Sequence, residues 1–361
     1  MKAGKVAPGV SAMCIDRGST IRQALGRMDR LRRGIILVVD RSRRLVGTIT
    51  DGDIRRCVLA RMSLELPVTA ILARKSGVFR RPITARAGAP REKYLAILKK
   101  HRVLHLPLLD AKGRVADLVL MSEFAAEPLA YRAVVMAGGK GSRLFPLTKD
   151  TPKPMLRVGG KPVMEIIIDQ LRDAGIKQVQ VSTHFLRDRI SSHFGDGRAF
   201  GVDLSYVDET KPLGTAGALG LLKRPTETLL VINGDVLTQV DFRAMMAYHR
   251  ELKADLTVAV SRYDLKVPYG VVESDGHWVK GVTEKPTLQF FVSAGIYLIE
   301  PAAFKHIRRG QRCDMTQLIE RLTKARRPVA SFPIHEYWLD IGQPKDFAKA
   351  QKKAASWTKT S

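Results

Sequence analysis

A chain of 361 residues, 45% of them apolar, is long enough for two domains or three, each burying a core of its own. No stretch approaches the apolar length that crosses a bilayer, runs such as Ile35 to Val39 being short, and the opening MKAGKVAPGVSAM lacks the apolar centre of a secretory leader, so no membrane partner is expected. The formal charge of +26 raises the question of nucleic acid, but the basic residues are spread along the chain and no arginine-rich arm gathers them; with aromatics at 6%, the expectation is no nucleic-acid partner and a solvated surface that draws in small anions.

The three cysteines, Cys14, Cys57 and Cys313, are an odd number without metal-ligand spacing, which predicts a reducing, cytoplasmic setting without structural disulfides or zinc. The first third of the chain repeats itself at an offset of about 70 residues. In the first copy a helical pattern (Thr20 to Met28) leads to the strand ILVVD, a basic turn, and LVGTITDGDIRR (Leu45 to Arg56). In the second, a helical pattern (Pro90 to Lys99) leads to LPLLD (Leu106 to Asp110), the turn AKGR, and VADLVLMSEF (Val115 to Phe124). Helix, strand, turn, strand, helix, repeated twice, predicts a compact α/β pair over residues 1–128, with repeats at about 10–64 and 75–127. This pair resembles tandem CBS modules, regulatory units that bind adenosine or other nucleotides between repeats. Thr50 and Asp53 stand three apart at a strand-to-helix junction, where the resemblance gives them to the ribose hydroxyls of a regulatory nucleotide. The other reading is that they cap the helix beginning near Ile54. The second copy has Leu120 and Glu123 at the matching places, so one nucleotide site is expected rather than two.

Glu127, Pro128 and Leu129 mark a linker, and a second domain is predicted over 131–361. Strands are expected at Ala133 to Ala137, Gln178 to Ser182, Asp203 to Tyr206, Leu229 to Ile232, Leu256 to Val260, Gly270 to Glu273, Phe291 to Ile299 and Pro328 to Phe332. Helical periodicity falls at Val163 to Ala174, Thr215 to Leu222, Phe242 to Lys253 and Thr316 to Ala325. The alternation predicts an α/β fold, a Rossmann-like and mainly parallel sheet with helices on both faces, with ligands at the carboxyl ends of its strands.

The most informative segment is RAVVMAGGKGSRLFPLTKDT (Arg132 to Thr151), continued by PKPMLRVGGKPVMEIII. A buried strand feeds a turn carrying Gly138, Gly139 and Gly141, followed by Arg143 and Lys153. Backbone amides freed of side chains close on phosphate oxygens, and the two cations neutralise charge that develops when a phosphoryl group is attacked. From about Arg132 to Ala350 the chain resembles the sugar-phosphate nucleotidyltransferases, enzymes that join an NTP and a sugar 1-phosphate into a nucleotide-sugar and pyrophosphate. The resemblance is carried by GGxGxRLxPLT, PKPML, PLGTAGAL (Pro212 to Leu219), NGDV (Asn233 to Val236), EKP (Glu284 to Pro286), AGIY (Ala294 to Tyr297) and WLDIGQPKDF (Trp338 to Phe347), in the family's order.

That resemblance implies roles. Asp235, at the end of an apolar strand, and Asp340 would share Mg²⁺, which favours a few hard oxygens plus substrate phosphates. Arg143 would grip the leaving phosphates, Lys153 the α-phosphoryl group and Lys285 the sugar's phosphate. No general base is needed, because a phosphate monoester with a second pKa of about 6 is already an anionic nucleophile. Gly214 and Thr215 would complete the nucleotide site. Glu209 stands five residues before Gly214, where relatives that use UTP or dTTP commonly have glutamine. A carboxylate accepts and never donates, matching the adjacent N1–H and N2 donors of guanine, so GTP is favoured, with UTP or dTTP as the alternative. Tyr269, Gly270, Glu284 and Ser293 are the candidate sugar contacts, Ser293 standing where relatives often carry asparagine.

The two-part arrangement is similar to transferases that supply GDP-sugars for bacterial surface glycans, including nonulosonic acid routes that begin from glucosamine 1-phosphate; mannose and heptose 1-phosphates stay open. It further implies homo-oligomers and gating of the transferase by a nucleotide on the CBS pair. The competing class is a non-catalytic nucleotide sensor, against which Arg143, Lys153, Asp235 and Asp340 all stand intact.

Overall fold

Apolar residues that alternate along short runs decide where this chain buries itself, and they do so separately in two compact units, Met1–Glu127 and Pro128–Ser361. The computed structural model describes residues 9–31, 33–75, 81–101, 103–124 and 131–357. The expected linker Glu127 to Leu129 lies outside the described residues.

In the N-terminal unit, Cys14–Asp16, Ile35–Val39 and Leu45–Thr50 form a three-stranded sheet with Ile35–Val39 in the middle, parallel to the first and antiparallel to the third. The helix Ile21–Leu31 turns Ile21, Ala24 and Met28 inward at helical spacing, onto Ile36, Val38 and Ile49. The second copy builds the same sheet from Ala85–Arg86, His105–Leu109 and Val115–Leu120, with the helix Arg91–His101. Ile35, Leu37 and Val39 of one copy pack with Val115, Leu118 and Leu120 of the other.

The copies differ where the sequence reading expected them to match. After its last strand the first copy continues in the helix Asp51–Leu59, and the described residues of the second continue in the 3-10 turn Met121–Glu123. Thr50 forms a capping box with Asp53, the Thr50 hydroxyl accepting from the Asp53 amide and the Asp53 carboxylate from the Thr50 amide, whereas Leu120 has no side-chain acceptor to offer. Asp53 is also held by Lys75 at 2.6 Å and Arg56 at 2.7 Å. Burial opposes its charge, but Lys75, the Thr50 backbone and Arg56 outweigh that and hold the carboxyl below the usual aspartate range. Of the two readings of Thr50 and Asp53, the geometry displays the cap.

The C-terminal unit is built on a seven-stranded sheet in the order Asp203–Asp208, Gln178–Thr183, Arg132–Met136, Leu229–Asn233, Thr287–Ile299, Leu256–Lys266, Val329–Ile334. Thr287–Ile299 runs antiparallel to both neighbours, and every other pairing is parallel. The two central strands alternate between opposite cores: Ala133, Val135, Leu230 and Ile232 face one, Val134, Leu229 and Val231 the other. Both faces are therefore buried, and only the strand ends are left for chemistry.

Four details depart from expectation. Leu256–Lys266 and Thr287–Ile299 extend beyond the expected strands as a two-stranded ribbon whose Tyr263–Phe290 and Leu265–Leu288 pairs are exposed. The expected strand Gly270 to Glu273 is Val271–Asp275, one half of a hairpin with Trp278–Thr283. The helix Arg187–Phe194 was not anticipated, because it buries only Ile190 and Phe194 and so carries little periodicity. The expected helix Thr215 to Leu222 is a single α-turn, Gly214–Gly217, followed by the 3-10 turn Ala218–Leu221.

Replacing Thr50 by valine removes the cap acceptor at constant shape and is expected to cost about 1 kcal/mol in urea unfolding at neutral pH. A depressed aspartate stabilises only above its unfolded pKa, so the deficit of Asp53→Asn relative to the wild type should narrow as the pH falls below about 4.

Candidate active site

The carboxyl ends of Arg132–Met136 and Leu229–Asn233 lie level, Met136 opposite Asn233, and beyond them opens a cleft of about 250 Å³. Gly138, Gly139, Lys153, Glu209, Asp235 and Asp314 are among its lining residues. A Cβ on Gly138 would sit 2.8 Å from Glu209 Oε1, so a side chain there would have to push the carboxylate aside. Gly141 has φ +65°, and its carbonyl accepts a 2.9 Å hydrogen bond from the buried Thr148 hydroxyl. Nothing lies within 4 Å of a Cβ built on Gly139, which leaves that stretch of backbone open to a ligand.

Glu209 is 8% exposed and ties three segments together. The Ser182 hydroxyl donates to its Oε1 at 2.6 Å, the Leu213 amide to its Oε2 at 2.9 Å, and its own amide to the Thr183 carbonyl at 2.9 Å. One acceptor position on each carboxylate oxygen is thereby taken, of the roughly four a carboxylate offers. The next turn is fastened from behind. The Ala216 and Gly217 amides both donate to the Cys313 carbonyl, the Cys313 amide donates to Leu213, and the Met315 amide donates to the Thr215 hydroxyl at 2.9 Å. Gly214, at φ +79°, has no room for a side chain, since a Cβ would meet Asp314 Oδ1 at 2.4 Å and the Cys313 carbonyl at 2.8 Å.

Asp235 and Asp340, 105 positions apart in the chain, meet through a short antiparallel ladder of Val236–Thr238 with Trp338–Asp340, in which Val236 faces Asp340. The Ile341 amide donates to the Asp235 carbonyl at 3.1 Å. Lys153 is ion-paired with Asp235 Oδ2 and stands 3.7 Å from Asp340 Oδ1. Arg143 flanks the same place, a Cβ built on Gly342 lying 3.6 Å from Asp340 Oδ1 and 3.9 Å from Arg143 Nη1. Burial raises the Asp340 carboxyl above the usual aspartate range and the Asp235 charge pushes it the same way, while Lys153 and Arg143 pull it back. Asp235 Oδ1 is buried and has no hydrogen-bond partner. A buried lone carboxylate oxygen beside a second carboxylate is a hard, anionic donor set, and it fits a divalent cation.

Arg143, Lys153, Asp235 and Asp340 are thus brought together, and Gly138, Gly139, Glu209, Gly214 and Thr215 line the adjoining cleft. The residues read as sugar contacts are not among its lining. Tyr269 is 74% exposed, and Gly270, Glu284 and Lys285 share its exposed arm, with Lys285 Nζ 3.6 Å from Glu284 Oε1. Ser293 is exposed and hydrogen-bonds to the Tyr297 hydroxyl at 2.8 Å.

Asn233, Ser182 and Asp314 were not singled out in the sequence. Asn233 lines the cleft with its buried Oδ1 unpartnered, and a Cβ on Gly295 would strike its Nδ2 at 2.6 Å. Its signal was present in NGDV. Asp314 had none to separate it from an ordinary helix cap, the part it plays for Met315–Lys324.

The nucleotidyl transferase family model matches residues 132–356, and the CBS domain model matches 10–60. The chain belongs to the nucleotidyl transferase family. It is 32% identical over 226 residues to a mannose-1-phosphate guanylyltransferase of Mycobacterium tuberculosis, covering 60% of this chain and 62% of that one. It is 33% identical over 224 residues to a D-glycero-α-D-manno-heptose 1-phosphate guanylyltransferase of Aneurinibacillus thermoaerophilus, covering 61% and 97%. A UTP–glucose-1-phosphate uridylyltransferase of Synechocystis is 32% identical over 240 residues, covering 61% and 62%. Among solved structures, a chain assigned as a glucose-1-phosphate thymidylyltransferase from Bacillus anthracis, in complex with a sucrose, matches with a TM-score of 0.52 at 27% identity, covering 62% of this chain and 95% of that one. The chain spans about three-fifths of the length of the mannose-1-phosphate relative.

Gly214→Ala is expected to distort the loop between Leu213 and Gly217, raising the KM for nucleotide about tenfold or more while the far-ultraviolet spectrum is kept. Because the folded Asp340 carboxyl is raised, its ionisation costs stability above the unfolded pKa. In metal-free buffer Asp340→Asn should therefore melt above the wild type at neutral pH, and the gain should vanish below a pH of about 4, where both side chains are uncharged.

Proposed function

We propose that this protein transfers a nucleotidyl group from an NTP, GTP by preference, to a sugar 1-phosphate, yielding a nucleotide-sugar and pyrophosphate. The observation that carries this is the meeting of Lys153, Asp235, Asp340 and Arg143 beside a cleft walled by a glycine loop. An oxygen of the sugar phosphate attacks the α-phosphorus, and the bond from that phosphorus to the β-bridging oxygen breaks. Pyrophosphate leaves with the electron pair, and no proton has to be removed from the nucleophile. Asp235 and Asp340 would hold a divalent cation, Mg²⁺ in this proposal, which would supply neutralising charge to the substrate phosphates. Lys153 and Arg143 add fixed positive charge at the α-phosphoryl and leaving phosphates, and the open backbone at Gly139 receives the polyphosphate.

For the base, Glu209 keeps acceptor positions free on a carboxylate that Ser182 and Leu213 hold still. Its reading of the guanine N1–H and N2 donors agrees in kind with the guanylyltransferase relatives, and the uridylyltransferase relative keeps UTP as the alternative. Lys285 is proposed for the sugar's phosphate, and Tyr269, Gly270, Glu284 and Ser293 for the sugar, on the resemblance alone. The N-terminal unit is read as regulatory, but ribose recognition is not assigned to Thr50 and Asp53, which are engaged in the helix cap. No described helix is long and apolar enough to cross a membrane.

A matrix of four NTPs against glucosamine, mannose, heptose and glucose 1-phosphates, followed by pyrophosphate release, tests the proposal. GTP should be turned over fastest, and Glu209→Gln should narrow its lead over UTP. Asp235→Asn should lower turnover by about a hundredfold or more. Release with no NTP would overturn the activity, and a UTP preference would overturn the reading of the base.

A further inference from the structure

Two carboxylates beside each other need a counter-charge even when no substrate is bound, and in this site the cation in place is Lys153. Its ammonium pairs with Asp235 Oδ2 and reaches Asp340 Oδ1 at 3.7 Å, and its side chain is only 11% exposed. Its backbone cannot retreat. Lys153 opens the 3-10 turn Lys153–Met155 between Pro152 and the buried Pro154, and Pro154 lies against the Asn233–Asp235 turn, a Cβ on Gly234 meeting Pro154 Cγ at 3.2 Å. Only the flexible side chain can move, by rotation about its own bonds.

We propose, on the functional reading above, that Lys153 is the resident counter-cation of Asp235 and Asp340 in the nucleotide-free protein, and that it holds a divalent cation off them until nucleotide draws the ammonium away. A doubly charged ion on Asp235 and Asp340 would stand within a few ångströms of the ammonium whichever Asp235 oxygen it took, and the two cations would repel across the shared carboxylates. An incoming triphosphate lays negative charge along the same cleft, which Lys153 lines. The ammonium then exchanges one anion for another, and the carboxylates are released to the metal. Metal and nucleotide each favour the other by the same factor, as linkage requires. Lys153 thus acts twice: it neutralises the empty site, and it reaches the α-phosphoryl group only once the site is filled.

The test is the affinity of the full-length protein for Mn²⁺ without nucleotide, read from the free Mn²⁺ signal in electron paramagnetic resonance. Lys153→Met, which keeps the length and removes the charge, should bind Mn²⁺ at least tenfold more tightly than the wild type. Adding Asp235→Asn to that variant should abolish the gain. Equal or weaker binding by Lys153→Met overturns the proposal, as does tight binding that survives Asp235→Asn. A second measurement uses the wild type alone, in case the methionine variant folds poorly. Reductive methylation of Lys153, followed by peptide mass spectrometry, should keep its rate at Mn²⁺ concentrations below the nucleotide-free dissociation constant and speed up only above it, where the ion displaces the ammonium by mass action; a rate unchanged with the metal bound overturns the proposal. The turnover loss of Asp235→Asn tests the transferase reading independently of either result.

Discussion

The pairing of Val236–Thr238 with Trp338–Asp340 is the constraint on which the candidate active site depends. It is a short ladder, yet it carries Asp340 from the far end of the domain to the side of Asp235. The ladder holds because both strands are anchored in the core, Val236 and Leu237 by full burial and Trp338 by the hydrogen bond of its indole to the Ala294 carbonyl. Anchored strands force two like charges together, and the neighbouring cations follow from that. Lys153 and Arg143 are where they are because an uncompensated carboxylate pair in a half-buried cleft would protonate or drive its strands apart.

The rest of the cleft is made by backbone. Gly138, Gly141, Gly214, Gly217 and Gly295 each stand where a Cβ would come within 3 Å of another group. These close approaches let the loops after three parallel strands crowd into one place, with Glu209 as the fastener between them. A glycine-rich turn here is a packing device as much as a phosphate cradle, and only Gly139 among the first three is free of neighbours.

Much of this was legible in the sequence. The runs from Ala133 to Ala137 and from Leu229 to Ile232 are unbroken apolar stretches, and a strand buried on both faces has no other way to look. The order of the motifs foretold that Arg143, Lys153, Asp235 and Asp340 belong to one site. The extended ribbon beyond Val260 was not legible, since its alternating Tyr263, Asp264, Leu265 and Lys266 have polar neighbours and no core to point at. Nor was the 3-10 turn Met121–Glu123, at the place where the first copy begins the helix Asp51–Leu59.

By itself, the sequence determined the residue types that chemistry requires, the glycines that backbone contacts demand, and the strand pattern that sets the α/β class, because each of these is a local property of side-chain volume, charge or periodicity. Only the tertiary structure decided which carboxylate would meet which cation, that Glu209 is fastened before any base arrives, and that Thr50 and Asp53 serve the helix that follows them. Those outcomes depend on distances between segments a hundred residues apart, or on which of several partners reaches a given oxygen first, and no local pattern encodes them.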